Sequence, residues 1–252
     1  MTRTTGTLLG GRVRYEQRTE GYRTGIEPVL LAASVPAAPG DHVLEAGGGA
    51  GAGRLCLAAR VPCITGVGIE LDPTLAALAD ANFAANGFNS LSALAADLLA
   101  WQGNAATFDH VFANPPWHRA TGTASPEPGR RAAKQAPPGL LASWVSTMAR
   151  VLRPHGTLTL ILPSCSLVEA VTALDAARVH EVTLLPLWPR VGTQAKLMIL
   201  QGKYLGRGPS RVLPGLVLHQ DAGFSAEAEA IISAGQKTIL GLLARNRRPS
   251  RA

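Results

Sequence analysis

Two rhythms of apolar residues alternate along the middle of the chain. Short β-like runs occur at 42–45, 62–70, 91–96 and Phe108–Ala113, and then at 157–162, 181–187 and 195–201. Between them lie stretches with apolar residues at helical spacing: 52–60, 73–86 with Pro73 in the first turn, 140–152 and 164–177. Strands that alternate with helices pair in parallel, because the crossover carries the chain back to the starting edge. The pattern therefore predicts one doubly wound α/β sheet of seven strands with helices on both faces. Runs 181–187 and 195–201 leave no room for a helix between them, so they are expected as an antiparallel pair that puts an antiparallel strand at the sheet edge.

Composition supports a single globular unit. Of 252 residues 46% are hydrophobic and 16% charged, enough to bury a core and outside the disordered class. Linker-like pieces stand at 36–40, at 121–129 and beyond about 242. The chain opens without a signal-peptide pattern, and no run of about 18 apolar residues could span a bilayer, so a cytoplasmic, membrane-free protein is expected. Cys56, Cys63 and Cys165 lack metal or disulfide spacing. They read as small buried thiols, and no metal is expected.

Charge is unevenly spread. The net +7 divides into +3 over residues 1–25, −6 over 26–117 and +10 over 118–252. An acidic module flanked by basic segments suits a cationic small molecule beside a polyanion-binding surface. The basic segments are expected to line the approach to Trp117.

Three sequence features carry chemistry. Glu45 is followed by Gly47, Gly48, Gly49 and Gly51, a glycine-packed turn between a strand and a helix that lets a ligand approach the backbone. Glu70 ends the second strand, about 20 residues past the glycines, where a carboxylate accepts ribose hydroxyls. Asp72, before Pro73, reads as a helix cap, and Asp97 after the third strand could meet an adenine amino group or be a helix N-cap. Asn114-Pro115-Pro116-Trp117 follows the fourth strand. Its paired prolines remove two amide donors and leave an acceptor platform for a planar NH2 group, with Trp117 to stack on the ring. A pyrophosphate would be repelled by Glu45, which disfavours a nicotinamide dinucleotide.

Together these motifs resemble the class I S-adenosylmethionine-dependent methyltransferases that act on amino groups through an Asn-Pro-Pro-aromatic motif. Within that class the chain resembles the bacterial family that methylates the exocyclic N6 of the adenine beside the anticodon of a valine tRNA. Residues 17–31, 131–134, 152–156 and 216–229 carry this second resemblance. It implies a Rossmann-like class I methyltransferase fold, S-adenosylmethionine as cofactor and RNA as partner. It also implies cofactor contacts from Tyr22, Thr24 and Glu27 beside those of Glu45, Gly47, Gly49, Gly51, Glu70 and Asp97. Asn114, Pro115, Pro116 and Trp117 would serve transfer, and Arg130, Arg131 and Lys134 would contact phosphates. The family often has Asp where Glu27 stands and Tyr where Trp117 stands. Trp117-His118 also resembles ribosomal RNA guanine-N2 methyltransferases, and the Asn-Pro-Pro motif occurs in protein glutamine N5-methyltransferases; a non-catalytic RNA-binding module is a further alternative. The expected organisation is a basic segment and helix over 1–40 capping the cofactor site, a methyltransferase domain over 41–236 and a flexible basic tail over 237–252. A monomer is expected.

Overall fold

The computed structural model describes residues 2–20, 23–116, 137–238 and 241. Trp117, His118, Arg130, Arg131, Lys134 and Tyr22 lie outside them, as does the tail beyond 241.

The central sheet is built from β3 (His42–Ala46), β4 (Thr65–Glu70), β5 (Leu91–Ala95), β6 (Phe108–Ala113), β7 (Leu152–Pro163), β8 (Val179–Trp188) and β9 (Leu197–Tyr204). Short strands β10 (Arg211–Val212) and β11 (Leu216–Val217) extend it along β8. Its order is β10-β8-β9-β7-β6-β3-β4-β5. Helices α1 (Glu27–Ser34), α2 (Ala52–Arg60) and α3 (Pro73–Ala85) contribute to a core on one face, and α4 (Leu140–Val151) and α5 (Leu167–Ala176) to a core on the other. A doubly wound sheet is thus what the chain forms. Within it, β9 pairs antiparallel with both β7 and β8. The antiparallel strand therefore lies inside the sheet rather than at its edge, because β8 passes outside it and is itself covered by β10 and β11.

Two elements escaped the sequence pattern. Residues before 20 form a hairpin, β1 (Arg3–Leu8) and β2 (Val13–Arg18), paired antiparallel over its whole length. Polar residues on nearly every position of β1 hide its alternation. Near the far end of the chain, β12 (His219–Gln220) and β13 (Gly223–Phe224) make a small hairpin before α6 (Ala226–Ile232). Packing continues past 236: Thr238 is buried, donates its N–H to the Ala33 carbonyl and pairs its hydroxyl with Ser34. The expected tail boundary at 237 therefore falls too early.

Thiol burial also differs from expectation. Only Cys56 is buried, and burial pushes its thiol up to about 12; Cys63 and Cys165 sit exposed in a turn and a short 3-10 segment.

Candidate active site

Strand register brings the chemistry to one end of the sheet. Ala46 on β3 pairs with Ile69 on β4 and with Ala113 on β6. Gly47, Glu70 and Asn114 are the next residues on these three neighbouring strands. Glu70 pairs with Ala95 on β5, so Asp97 leaves the sheet at the same end. At a strand spacing of about 4.8 Å, Glu70 and Asn114 flank the glycine turn roughly 10 Å apart. The carboxyl ends of parallel strands are where such sheets bind ligands.

The glycine turn is shaped by close approaches. Gly47 has φ +68°, and a side chain there would strike the Trp144 ring of α4 at 2.8 Å. Gly51 caps α2 at φ +87° with Phe83 packed against its Cα. Gly47 and Gly48 donate to the Ile69 carbonyl, at 2.8 and 3.3 Å, and Gly51 donates to Gly48. Trp144, half-buried, thus forms a wall of the site, a role that the helical spacing over 140–152 does not reveal.

Glu70 is held by the backbone. Its Oε2 accepts from Gly49 N–H at 2.8 Å and its Oε1 from Asp72 N–H at 2.9 Å. Each carboxylate oxygen keeps a lone pair for a further donor, as a ribose diol requires. Asp72 caps α3 as expected, accepting from Thr74 and Leu75, and its other oxygen pairs with Arg18 of β2 at 2.8 Å. Asp97 is exposed, and its Oδ1 accepts from Leu99 N–H.

Glu45 departs from the role suggested by its place in the motif. It is buried, and its Oε2 pairs at 3.0 Å with the fully buried Arg54 of α2, whose guanidinium also stacks on Phe83 and donates to Ser92. Burial raises the Glu45 carboxyl and lowers the Arg54 guanidinium, each opposed by its partner. The charge expected to attract a cation is compensated internally, which leaves Glu70 and Asp97 as the acids at the mouth. Arg54 is the lone charge among the buried residues of α2, and a single arginine on an otherwise apolar helix face is the sequence signal of such a buried pair.

Asn114 and Pro116 are half-buried and Pro115 is buried. The Asn114 amide has no hydrogen-bond partner among the described residues. Thr24 is committed to the hairpin: its N–H donates to Gln17 and its hydroxyl meets Tyr15 at 2.7 Å. Glu27 begins α1 with its carboxylate folded against Gly25.

The N-terminal hairpin is fastened beside this site by side-chain amides. Asn82 on α3 and Asn86, which caps its C-terminus one turn on, each accept a backbone N–H from β2 and donate back to a carbonyl of the same residue, at Glu16 and Arg14 respectively. Asn82 also donates to the Ala50 carbonyl of the glycine turn.

Basic groups are divided between the two ends of the sheet. Arg153 pairs with Asp109, Lys203 with Glu181, and Arg150 donates to the carbonyls of Trp101 and Gly103, all at the end opposite Asn114. Among the described residues after 117, Arg190 and Lys196 stand in the β8–β9 loop at the Asn114 end. The expectation that the whole excess lines the mouth is corrected accordingly, since strand direction sends Arg150, Arg153 and Lys203 to the far end.

This arrangement, with glycine turn, carboxylate and Asn-Pro-Pro on three adjacent strand ends, defines a class I S-adenosylmethionine-dependent methyltransferase. A family model described as a methyltransferase domain matches residues 43–128. A tRNA1(Val) (adenine(37)-N6)-methyltransferase of Porphyromonas gingivalis is 33% identical over 190 residues, 69% of this chain and 74% of the relative. One of the same name from Aeromonas hydrophila is 27% identical over 204 residues, covering 80% and 84%. The chain belongs to this family. Among solved structures, a predicted O-methyltransferase from Agrobacterium tumefaciens superposes with a TM-score of 0.69 at 20% identity, over 83% of this chain and 97% of that one; the likeness is one of fold. Among the described residues no helix is long and apolar enough to cross a membrane, and no cluster of ligating side chains is arranged for a metal.

Proposed function

We propose that the protein methylates the exocyclic N6 of an adenine in tRNA, with S-adenosylmethionine held between the glycine turn, Glu70 and Asp97. The observation that carries this reading is Asn114: a half-buried amide with no hydrogen-bond partner among the described residues, followed by two residues that have no amide donor, one strand away from the cofactor turn. The named relatives act on such a substrate, which supports the same choice.

The cofactor supplies an electrophilic methyl on a sulfonium. The chain's part is orientation. Asn114 Oδ1 and the Pro115 carbonyl accept the two N–H bonds of the amine, which holds its nitrogen toward the methyl carbon at about 3–3.5 Å. S-adenosylmethionine bound there would give up its methyl to that nitrogen and be left as the neutral thioether, and the amine proton would pass to solvent. Trp117 is assigned to stack on the base, with Arg130, Arg131 and Lys134 on phosphates. Because the platform reaches only an unstacked base, the nucleotide is flipped out or lies in a loop. The hairpin and α1 cap the cofactor site through Arg18, Tyr22, Thr24 and Glu27, and the working compartment is that of tRNA, the cytoplasm.

Incubation with total unmodified RNA and labelled cofactor, followed by digestion to nucleosides, is expected to yield N6-methyladenosine. N2-methylguanosine in its place would transfer the reading to guanine, and label confined to protein would end the RNA reading. Asn114→Ala is expected to lower kcat at least about a hundredfold with the cofactor Kd held within a few fold, since it removes orientation and leaves the glycine turn intact.

A further inference from the structure

We propose that the β8–β9 loop, residues 189–196, grips phosphates of the strand that carries the base held at Asn114. This extends the RNA reading above and rests on it.

Strand direction sets the position. β9 runs antiparallel to β7 and β8 antiparallel to β9, so the loop leaves the sheet at the same end as Asn114. The order β6-β7-β9-β8 puts Lys196 two strands and Arg190 three strands from Asn114, about 10 and 15 Å across the sheet. About three to five nucleotides of a stacked strand, at about 3.4 Å each, cover that distance.

Polarity across this end of the sheet is ordered. Glu70 and Asp97 stand on the β4–β5 side, Asn114 in the middle, and Arg190 and Lys196 on the β8–β9 side. A cationic cofactor and a polyanion are thereby drawn to opposite sides of the amide where they must meet. Residues 189–196 contain two cations and no acid. Both cations are exposed, and neither is ion-paired among the described residues. Arg190 spends one N–H on a carbonyl, that of Asp221 at 2.8 Å, which fixes the side chain without neutralising it.

The loop is also held in shape. Thr193 donates its N–H and its hydroxyl to the Arg190 carbonyl and accepts from Arg190 N–H. Ser164 N–H donates to the Lys196 carbonyl at 3.0 Å, which ties the loop to the end of β7, and His219 N–H donates to Pro189. A cation already ordered in the free protein loses less entropy on meeting a phosphate. Exposed Thr193 and Gln194 add neutral donors of the kind that contact nucleic-acid backbones.

The other end of the same strands offers a contrast. A cavity of about 890 Å³ between α5 and the first half of β8 is rimmed by Arg207 and Arg211, away from the strand end that carries Asn114. It provides the control.

The test measures binding of an unmodified tRNA1(Val) transcript by fluorescence anisotropy between 50 and 200 mM NaCl. The Arg190→Gln/Lys196→Gln variant is expected to bind more weakly and to lose about 1.5–2 units from the slope of log K against log salt. Its circular dichroism and calorimetric cofactor affinity should match the unaltered chain. An Arg207→Gln/Arg211→Gln variant should keep the original slope. An unchanged slope for the loop variant, or a loss that appears only with Arg207 and Arg211, overturns the proposal. If the unaltered chain methylates a different RNA, the same slopes on that RNA decide. If it neither binds the transcript nor leaves a methylated nucleoside in total RNA, the RNA reading itself falls and takes this proposal with it.

Discussion

Glu45 and Arg54 show how one residue can hold a motif position and yet face inward. Both charges are out of water and meet at 3.0 Å, Arg54 with no exposed side chain. Removing one partner strands the other, at a cost of about 3–5 kcal/mol, whereas replacing both with neutral residues of similar size can be nearly neutral. Arg54→Met alone is therefore expected to destabilise by about that amount in urea unfolding, and Glu45→Gln/Arg54→Met to recover most of it. A double variant as unstable as the single one would show that the two side chains act by something other than their pairing. Glu70 behaves differently, since two backbone donors hold it at the surface of the site with acceptor capacity left over.

Among the elements, the N-terminal hairpin is the one whose attachment depends on a few side chains. Asn82 is buried and serves β2 twice and the glycine turn once. Asn82→Ala leaves a Glu16 N–H and two carbonyls without partners, a loss of about 2–4 kcal/mol. The expected result is faster amide hydrogen exchange in residues 3–18, together with a raised cofactor Kd, because the same amide supports Ala50. Asn86→Ala, which serves only β2 and its own helix, should loosen the hairpin with a smaller effect on the cofactor. Equal effects of the two variants on cofactor affinity would mean that the Ala50 contact contributes nothing.

For the whole molecule, acid sensitivity follows from the end of the sheet opposite the site. Glu181, at a bulge in β8, accepts from Lys203 and from Arg207 N–H. The Lys203 hydrogen bond leads the effects that bring its carboxyl down to about 2. With an unfolded value near 4.3, this contribution is present above pH ~4.3 and disappears as pH falls toward 2, up to about 3 kcal/mol in all. Glu181→Gln is expected to lower stability at pH 7 and to flatten the stability profile between pH 4.5 and 2. A profile parallel to that of the unaltered chain would exclude Glu181 from acid unfolding.

The sequence by itself determined the central α/β sheet, the glycine turn, the Asp72 cap and the place of Asn-Pro-Pro at the end of a strand. These depend on periodicity and on backbone chemistry within a few residues, which a linear pattern records. Only the tertiary structure decided that Glu45 turns inward to Arg54, that Trp144 walls the turn at Gly47, that Asn82 docks a polar hairpin, and which basic residues reach the mouth. Each of these depends on which strands become neighbours and which way they run. The net +7 states how much charge there is; strand direction places Arg190 and Lys196 at the Asn114 end of the sheet and Arg153 and Lys203 at the far end.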